Sequence, residues 1–196
     1  MAKPVAQRGF ARERLIEAAL ALFAEHGVSG TSLQMIADRL GVSKAAVYYQ
    51  FQSKDDIALA VVGPVFDDLV RLIRIAESLP SPAARRETAV SGLIELAVRH
   101  RRVTAVFHGD PTIERICESR AEFKDTIERF AGLLLGPEPD AATRITISMV
   151  SAGIHGCCSD PRLADVDSAD LRRVLLGCSQ RLLGAIDAGS EARQVQ

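Results

Sequence analysis

Between Thr31 and Lys54 the chain reads TSLQMIADRLGVSKAAVYYQFQSK, two short amphipathic segments meeting at a glycine, and no other stretch constrains the fold as tightly. Leu33, Ile36, Ala37 and Leu40 fall on one face at helical spacing. Thr31 or Ser32 supplies a hydroxyl to cap that helix, and Gln34 completes a Thr-x-x-Gln capping box. Gly41 follows the last apolar residue, where a left-handed backbone ends the helix without a Cβ clash. Ser43 caps the second segment, and Val42 and Val47 form its apolar side. The order of Ala37, Gly41 and Val47 fits the close crossing of a helix-turn-helix, whose second helix can enter a major groove. A plain buried hairpin would carry apolar residues where this one has Lys44, Tyr48, Tyr49 and Lys54.

The charge distribution supports the same reading. The formal net charge is −1 over 196 residues, but residues 1–54 hold seven Lys/Arg against four Asp/Glu, and the remainder 17 against 21. A basic head on an acidic body suits a chain that meets phosphates at one end. Hydrophobic residues make up 47% and aromatics only 5%, with no tryptophan, so the core is expected to be aliphatic and the fold all-α. No apolar run reaches the roughly 18 residues of a membrane span, and Met1–Phe10 lacks a signal-peptide core, so a cytoplasmic location is expected. Cys117, Cys157, Cys158 and Cys178 show no CxxC spacing and read as reduced, mostly buried thiols.

Taken in order, residues 1–9 read as a mobile basic arm, and a first helix runs from Phe10 to His26 with Gly27 closing it. Its Arg8, Arg12 and Arg14 have phosphate or solvent as alternative partners. Ser53 caps a fourth helix from about Lys54 to Ser78, interrupted at Gly63-Pro64, where a kink near Ala60 or two collinear segments are expected. Lys54 at that helix start is a cation in a slightly unfavourable place, which a phosphate would explain. Ser81-Pro82 starts a fifth helix to about Arg101, residues 103–117 form two short helices broken at Gly109-Asp110-Pro111, and a further helix spans Arg120–Leu135.

Two long helices close the chain, Asp140–Cys158 and Asp167–Ala188, before a frayed tail at 189–196. Ile145, Met149, Ala152 and Gly156 on the first, and Leu171, Val174, Leu175, Cys178, Leu182 and Ile186 on the second, exceed what a small body buries internally. They are expected to pair with their twofold copies in a four-helix homodimer interface.

The chain resembles the tetracycline-repressor (TetR) family of bacterial transcription regulators. The residues that carry the resemblance are Ala18-x4-Phe23-x3-Gly27, then Thr31-Ser32-x3-Ile36-Ala37-x3-Gly41-Val42-Ser43-x4-Tyr48-x2-Phe51-x2-Lys54. The resemblance implies an all-α fold: a three-helix DNA-binding head, residues 1–53, and a six-helix regulatory and dimerisation body, residues 54–196. It implies double-stranded DNA with an inverted-repeat operator as partner. Thr31, Ser32 and Gln34 would stand at the contact end of the second helix, Ser43, Lys44, Ala45, Ala46, Tyr48, Tyr49 and Gln50 on the recognition helix, and Lys54 at a phosphate. Gln34 stands where many members have arginine, and Gln50 replaces a common His or Tyr. The resemblance also implies a body cavity for an apolar small molecule, with Phe66, Leu69, Ile73, Leu93, Leu96, Phe107, His108, Phe123, Ile127, Met149 and His155 as inward candidates.

The function expected is therefore a ligand-responsive regulator, a repressor released from DNA by a small molecule. No metal, cofactor or catalysis is expected. On a helix the run His155-x-Cys157-Cys158-x-Asp160 puts 155 and 158 on one face and 157 on another, with no second His/Cys pair at a suitable spacing. A cysteine-based redox or metal sensor of the same fold, and a helical interaction protein without DNA binding, are the alternatives.

Overall fold

The computed structural model describes residues 5–108 and 110–194, with side chains over 11–184 apart from position 109. Its described residues form ten α-helices, one 3-10 turn and no strand. Helices α1 (Val5–Gly30), α2 (Leu33–Leu40), α3 (Lys44–Gln50) and α4 (Lys54–Glu77) are followed by α5 (Pro82–Arg99), α6 (Arg101–Phe107) and α7 (Pro111–Glu118). The chain ends with α8 (Ala121–Leu135), α9 (Ala141–Ser159), a turn at Pro161–Leu163 and α10 (Ser168–Gln194).

Among the described residues seven helices follow α3, including the two short ones expected over 103–117, against the six-helix body that the resemblance implies. At both ends of the chain helix replaces expected coil. Only residues 1–4 of the expected arm lie outside the described residues; α1 begins at Val5, and α10 runs on to Gln194. Gly27 does break α1, at φ 72° and ψ 165°. Pro64 lies inside the continuous α4, where its missing N–H leaves the carbonyl of Ala60 without its helical donor.

The chain forms two compact units. The first comprises residues 1–64 and 106–121, so the end of α6 and all of α7 compact with the first three helices. Its interior contains Leu15, Ala19, Phe23, Ile36, Ala37, Val47 and Ile57. Phe107 meets Phe23 edge-on at 5.8 Å between ring centroids, and Ser29 Oγ hydrogen-bonds Thr112 Oγ1 at 2.9 Å. Arg120 pairs with Asp56 at 3.5 Å.

The second unit, residues 65–105 and 122–196, packs α5, α9 and α10 mutually. Ile73, Ala89, Ile94, Val150 and Ile154 lie at the centre of its core. Gly92 on α5 admits Leu72 of α4: a Cβ there would stand 2.2 Å from Leu72 Cδ1 and 2.8 Å from its Cγ. Polar side chains fasten the helix ends. The Arg101 guanidinium donates to the carbonyls of Cys158, Leu163 and Val166, and Arg86 Nε donates to Leu134 O at 2.9 Å, just before Gly136 turns the chain at φ 77°.

Candidate nucleic-acid interface

Local hydrogen bonds set the geometry of α2 and α3. Ser32 is the N-cap of α2, its Oγ accepting from Met35 N at 3.2 Å. Gly41 follows at φ 67°, donating to Asp38 O at 3.1 Å while Val42 N donates to Ala37 O at 3.0 Å. Those two bonds form a Schellman motif, which ends the helix sharply and satisfies carbonyls otherwise left open. Ser43 Oγ then accepts from Ala46 N at 3.2 Å and caps α3. Ile36, Ala37 and Val47 have no exposed surface, so the two helices meet through small and β-branched side chains. Arg39 Nη2 donates to Glu25 at 2.7 Å, tying α2 to α1, and that hydrogen bond holds the Glu25 carboxyl below the usual range.

Locking α3 by Val47 alone leaves its other sides in solvent. Lys44, Ala45, Ala46, Tyr48 and Tyr49 are all exposed, Tyr49 at 74%, and Gln50 is half-buried. Lys44 Nζ lies 5.8 Å from the Tyr48 ring centroid, a cation held over an aromatic face. A seven-residue helix is about 10 Å long, comparable to a major groove about 12 Å wide. The exposed face combines a cation, two phenols and two methyl groups, which suits phosphates, base edges and the thymine methyl.

Several expected contact residues have different tasks. Thr31 is 2% exposed and its hydroxyl donates to Gly27 O at 2.8 Å, with Leu22 O at 3.2 Å sharing the proton; it braces the end of α1 and cannot reach DNA. With Ser32 as cap, the expected Thr31–Gln34 capping box does not form, and Gln34 Nε2 donates to Asp38 Oδ1 at 2.8 Å. Val42 is 43% exposed, not part of the apolar side of α3. Lys54 departs furthest from expectation. Its Nζ donates to Val28 O at 2.6 Å, Thr31 O at 2.9 Å and Ser29 O at 3.1 Å. An ammonium has three protons, and all three are committed to carbonyls. Lys54 therefore latches α4 to the end of α1 and has no donor left for a phosphate.

Of the expected ligand contacts, the second unit holds Phe66 and Phe123, half-buried and edge-on at 4.1 Å between centroids. Leu69 is half-buried beside the core, and Leu93, Leu96 and Ile73 are buried. His155 is half-buried and its Nδ1–H donates to Ser151 O at 2.8 Å, leaving Nε2 as the other polar atom of the ring. Phe107 belongs to the first unit, against Phe23. His108 is exposed, and Ile127 and Met149 are 45% and 58% exposed, so none of the three points into an interior.

The expected interface residues divide by helix face. Ile145, Met149, Ala152 and Gly156 form an exposed stripe along α9, and Val174, Cys178 and Leu182 one along α10. Leu171 and Leu175 are instead 5% and 7% exposed within the core of their own chain, because they lie on the α10 face turned toward α5 and α9. The side chain of Ile186 lies outside the described residues. Among the cysteines, Cys117 and Cys158 are buried and burial pushes both thiols up, away from the reactive thiolate.

One polar cluster escaped the sequence reading. His100, the C-cap of α5, lies 2.9 Å from Asp68 Oδ2 on α4, and Arg99 Nη1 donates to the same oxygen at 3.3 Å. The hydrogen bond from His100, followed by that from Arg99, holds the Asp68 carboxyl below its usual range. Only the Arg99-His100-Arg101-Arg102 run signalled it, and that run gave no carboxylate partner.

Residues 15–61, the segment that builds this frame, match the family model of bacterial regulatory proteins, tetR family. These residues are a TetR-family DNA-binding segment. It is 29% identical over 149 residues to the HTH-type transcriptional repressor BepR of Brucella suis biovar 1 (strain 1330), covering 68% of this chain and 69% of BepR. It is 36% identical over 67 residues to the biofilm operon icaADBC negative transcriptional regulator IcaR of Staphylococcus aureus (strain Newman), covering 34% of this chain but only 36% of IcaR. The fold is that of the ketosteroid transcriptional regulator KstR2 of Mycobacterium tuberculosis, with TM-score 0.68 and 20% identity over 93% of this chain and 96% of KstR2. No helix among the described residues is long and apolar enough to cross a membrane.

Proposed function

We propose that this chain is a TetR-family transcriptional repressor that binds an inverted-repeat operator as a homodimer and is released by an apolar small molecule. The observation that carries the reading is the exposed face of α3, Lys44, Ala45, Ala46, Tyr48 and Tyr49, on a helix locked by Val47 and the turn at Gly41. Residues 1–53 supply DNA contact and 54–196 ligand binding and dimerisation. Two copies of α3 would enter successive major grooves about 34 Å apart. Selection of bound duplexes from a random library tests this: an enriched inverted repeat is expected, and no enrichment would refute it.

The solvent-facing stripes of α9 and α10 support the dimer. Ile145 and Val174 are 60% and 53% exposed in the single chain, and a second copy would cover them. Ile145→Glu is expected to halve the mass seen by sedimentation while leaving the helical spectrum intact. For the ligand, the edge-on Phe66–Phe123 pair supports an apolar molecule, with Leu69, Leu93, Leu96 and His155 as the residues that would complete its lining.

A further inference from the structure

Arg12 is the other cation fastened to the recognition helix. Its guanidinium carbon lies 4.1 Å from the centroid of the Phe51 ring, and Phe51 is the C-cap of α3 and only 4% exposed. A guanidinium stacked on a ring keeps its N–H groups in its own plane, aimed past the ring edge. Arg12 is exposed, and among the described residues no carboxylate pairs with it; residues 1–10 contain no Asp or Glu. A positive charge therefore stands at a fixed place beside the C-terminal end of α3, with its donors open. Each end of a helix lying in a major groove abuts a phosphate strand, since the helix and the groove have similar dimensions.

We infer that Arg12 is a phosphate clamp at the C-terminal end of α3, taking the role that Lys54, bound to three carbonyls, cannot fill. The Phe51 ring sets the height of the clamp above the groove. Lys44 supplies charge at the opposite, N-terminal end of the same helix, so the two cations bracket α3. A planar fork binds two phosphate oxygens at once, which fixes register as well as attraction. Backbone contact carries no sequence information, so the clamp acts equally on every duplex.

The inference rests on the DNA-binding reading, and one titration separates their failures. Binding of the full chain to its selected duplex, and to the same duplex with one altered half-site, is measured from about 50 to about 200 mM salt. Each phosphate contact contributes about 0.9 to the slope of log affinity against log salt, so a dimer with two clamps loses about 1.8 in Arg12→Gln. The advantage of the wild type over that variant then shrinks about twelvefold across this salt range. The preference for the selected duplex is expected to be unchanged, and Arg12→Lys to keep the slope. An unchanged slope in Arg12→Gln overturns the clamp whatever happens to thermal stability, because a merely structural arginine moves stability alone. A wild type that retains no duplex removes the DNA-binding reading itself, and the clamp with it.

Discussion

Replacing Lys54 by Met keeps the side-chain stem and removes the ammonium that joins three carbonyls. Two of the three hydrogen bonds, to Val28 O and Thr31 O, are partly buried, and the third, to Ser29 O, is exposed. A hydrogen bond to a charged group is worth about 1.5–3 kcal/mol where water is excluded. Water can replace the ammonium at the exposed carbonyl and partly at the others, so the expected cost is about 2–3 kcal/mol. For a chain of this size that lowers the melting midpoint by roughly 5–10 °C. Thermal unfolding followed by circular dichroism measures it, alongside the salt slope of duplex binding at a temperature where both proteins are folded. The latch predicts a lower midpoint and an unchanged slope. A slope reduced by about 0.9 per protomer with no loss of stability would refute the reasoning, since it would mean that the ammonium leaves the carbonyls for a phosphate.

Two further predictions concern the second unit. Gly92→Ala places a Cβ within 2.4 Å of both Leu72 methyl carbons and is expected to cost about 1–3 kcal/mol by overpacking. Leu72→Ala added to it should cost less than the sum of the two single changes, which a double-mutant cycle in denaturant checks. Asp68 has its carboxyl held low in the folded state, first by His100 and then by Arg99. The stability it contributes is therefore complete above the ordinary carboxylate value near pH 4 and is lost as pH falls through the lower folded value. The gap in melting midpoint between wild type and Asp68→Asn should close below about pH 4, and a gap that persists at pH 2 would contradict the assignment.

What the sequence discloses depends on how far apart the interacting residues lie. The turn at Gly41 and the caps at Ser43 and Ser81 involve atoms within five positions, and the local residue pattern located all three. Thr31 and Ser32 carry the same hydroxyl one residue apart, so local pattern could not choose between them; the burial of Thr31 against Gly27 and Leu22 chose. The partners of Lys54 lie 23 to 26 residues away, on the far side of the whole helix-turn-helix, where no spacing rule reaches. On α10 the apolar positions wrap more than half of the helix. Which half faces inward follows from where α5 and α9 pack, so Leu171 and Leu175 were inseparable in sequence from Val174 and Cys178.

Residues 106–121 leave one unit and return to it while compacting with the other. The head is thus not a cassette that can be cut at Pro64 and moved. A fragment ending there would strip Phe107 from Phe23 and Thr112 from Ser29, baring apolar surface on α1. In evolutionary terms the DNA-reading end cannot drift independently of the chain that follows it. A change of sequence within residues 106–121 is therefore also a change to the packing of the head.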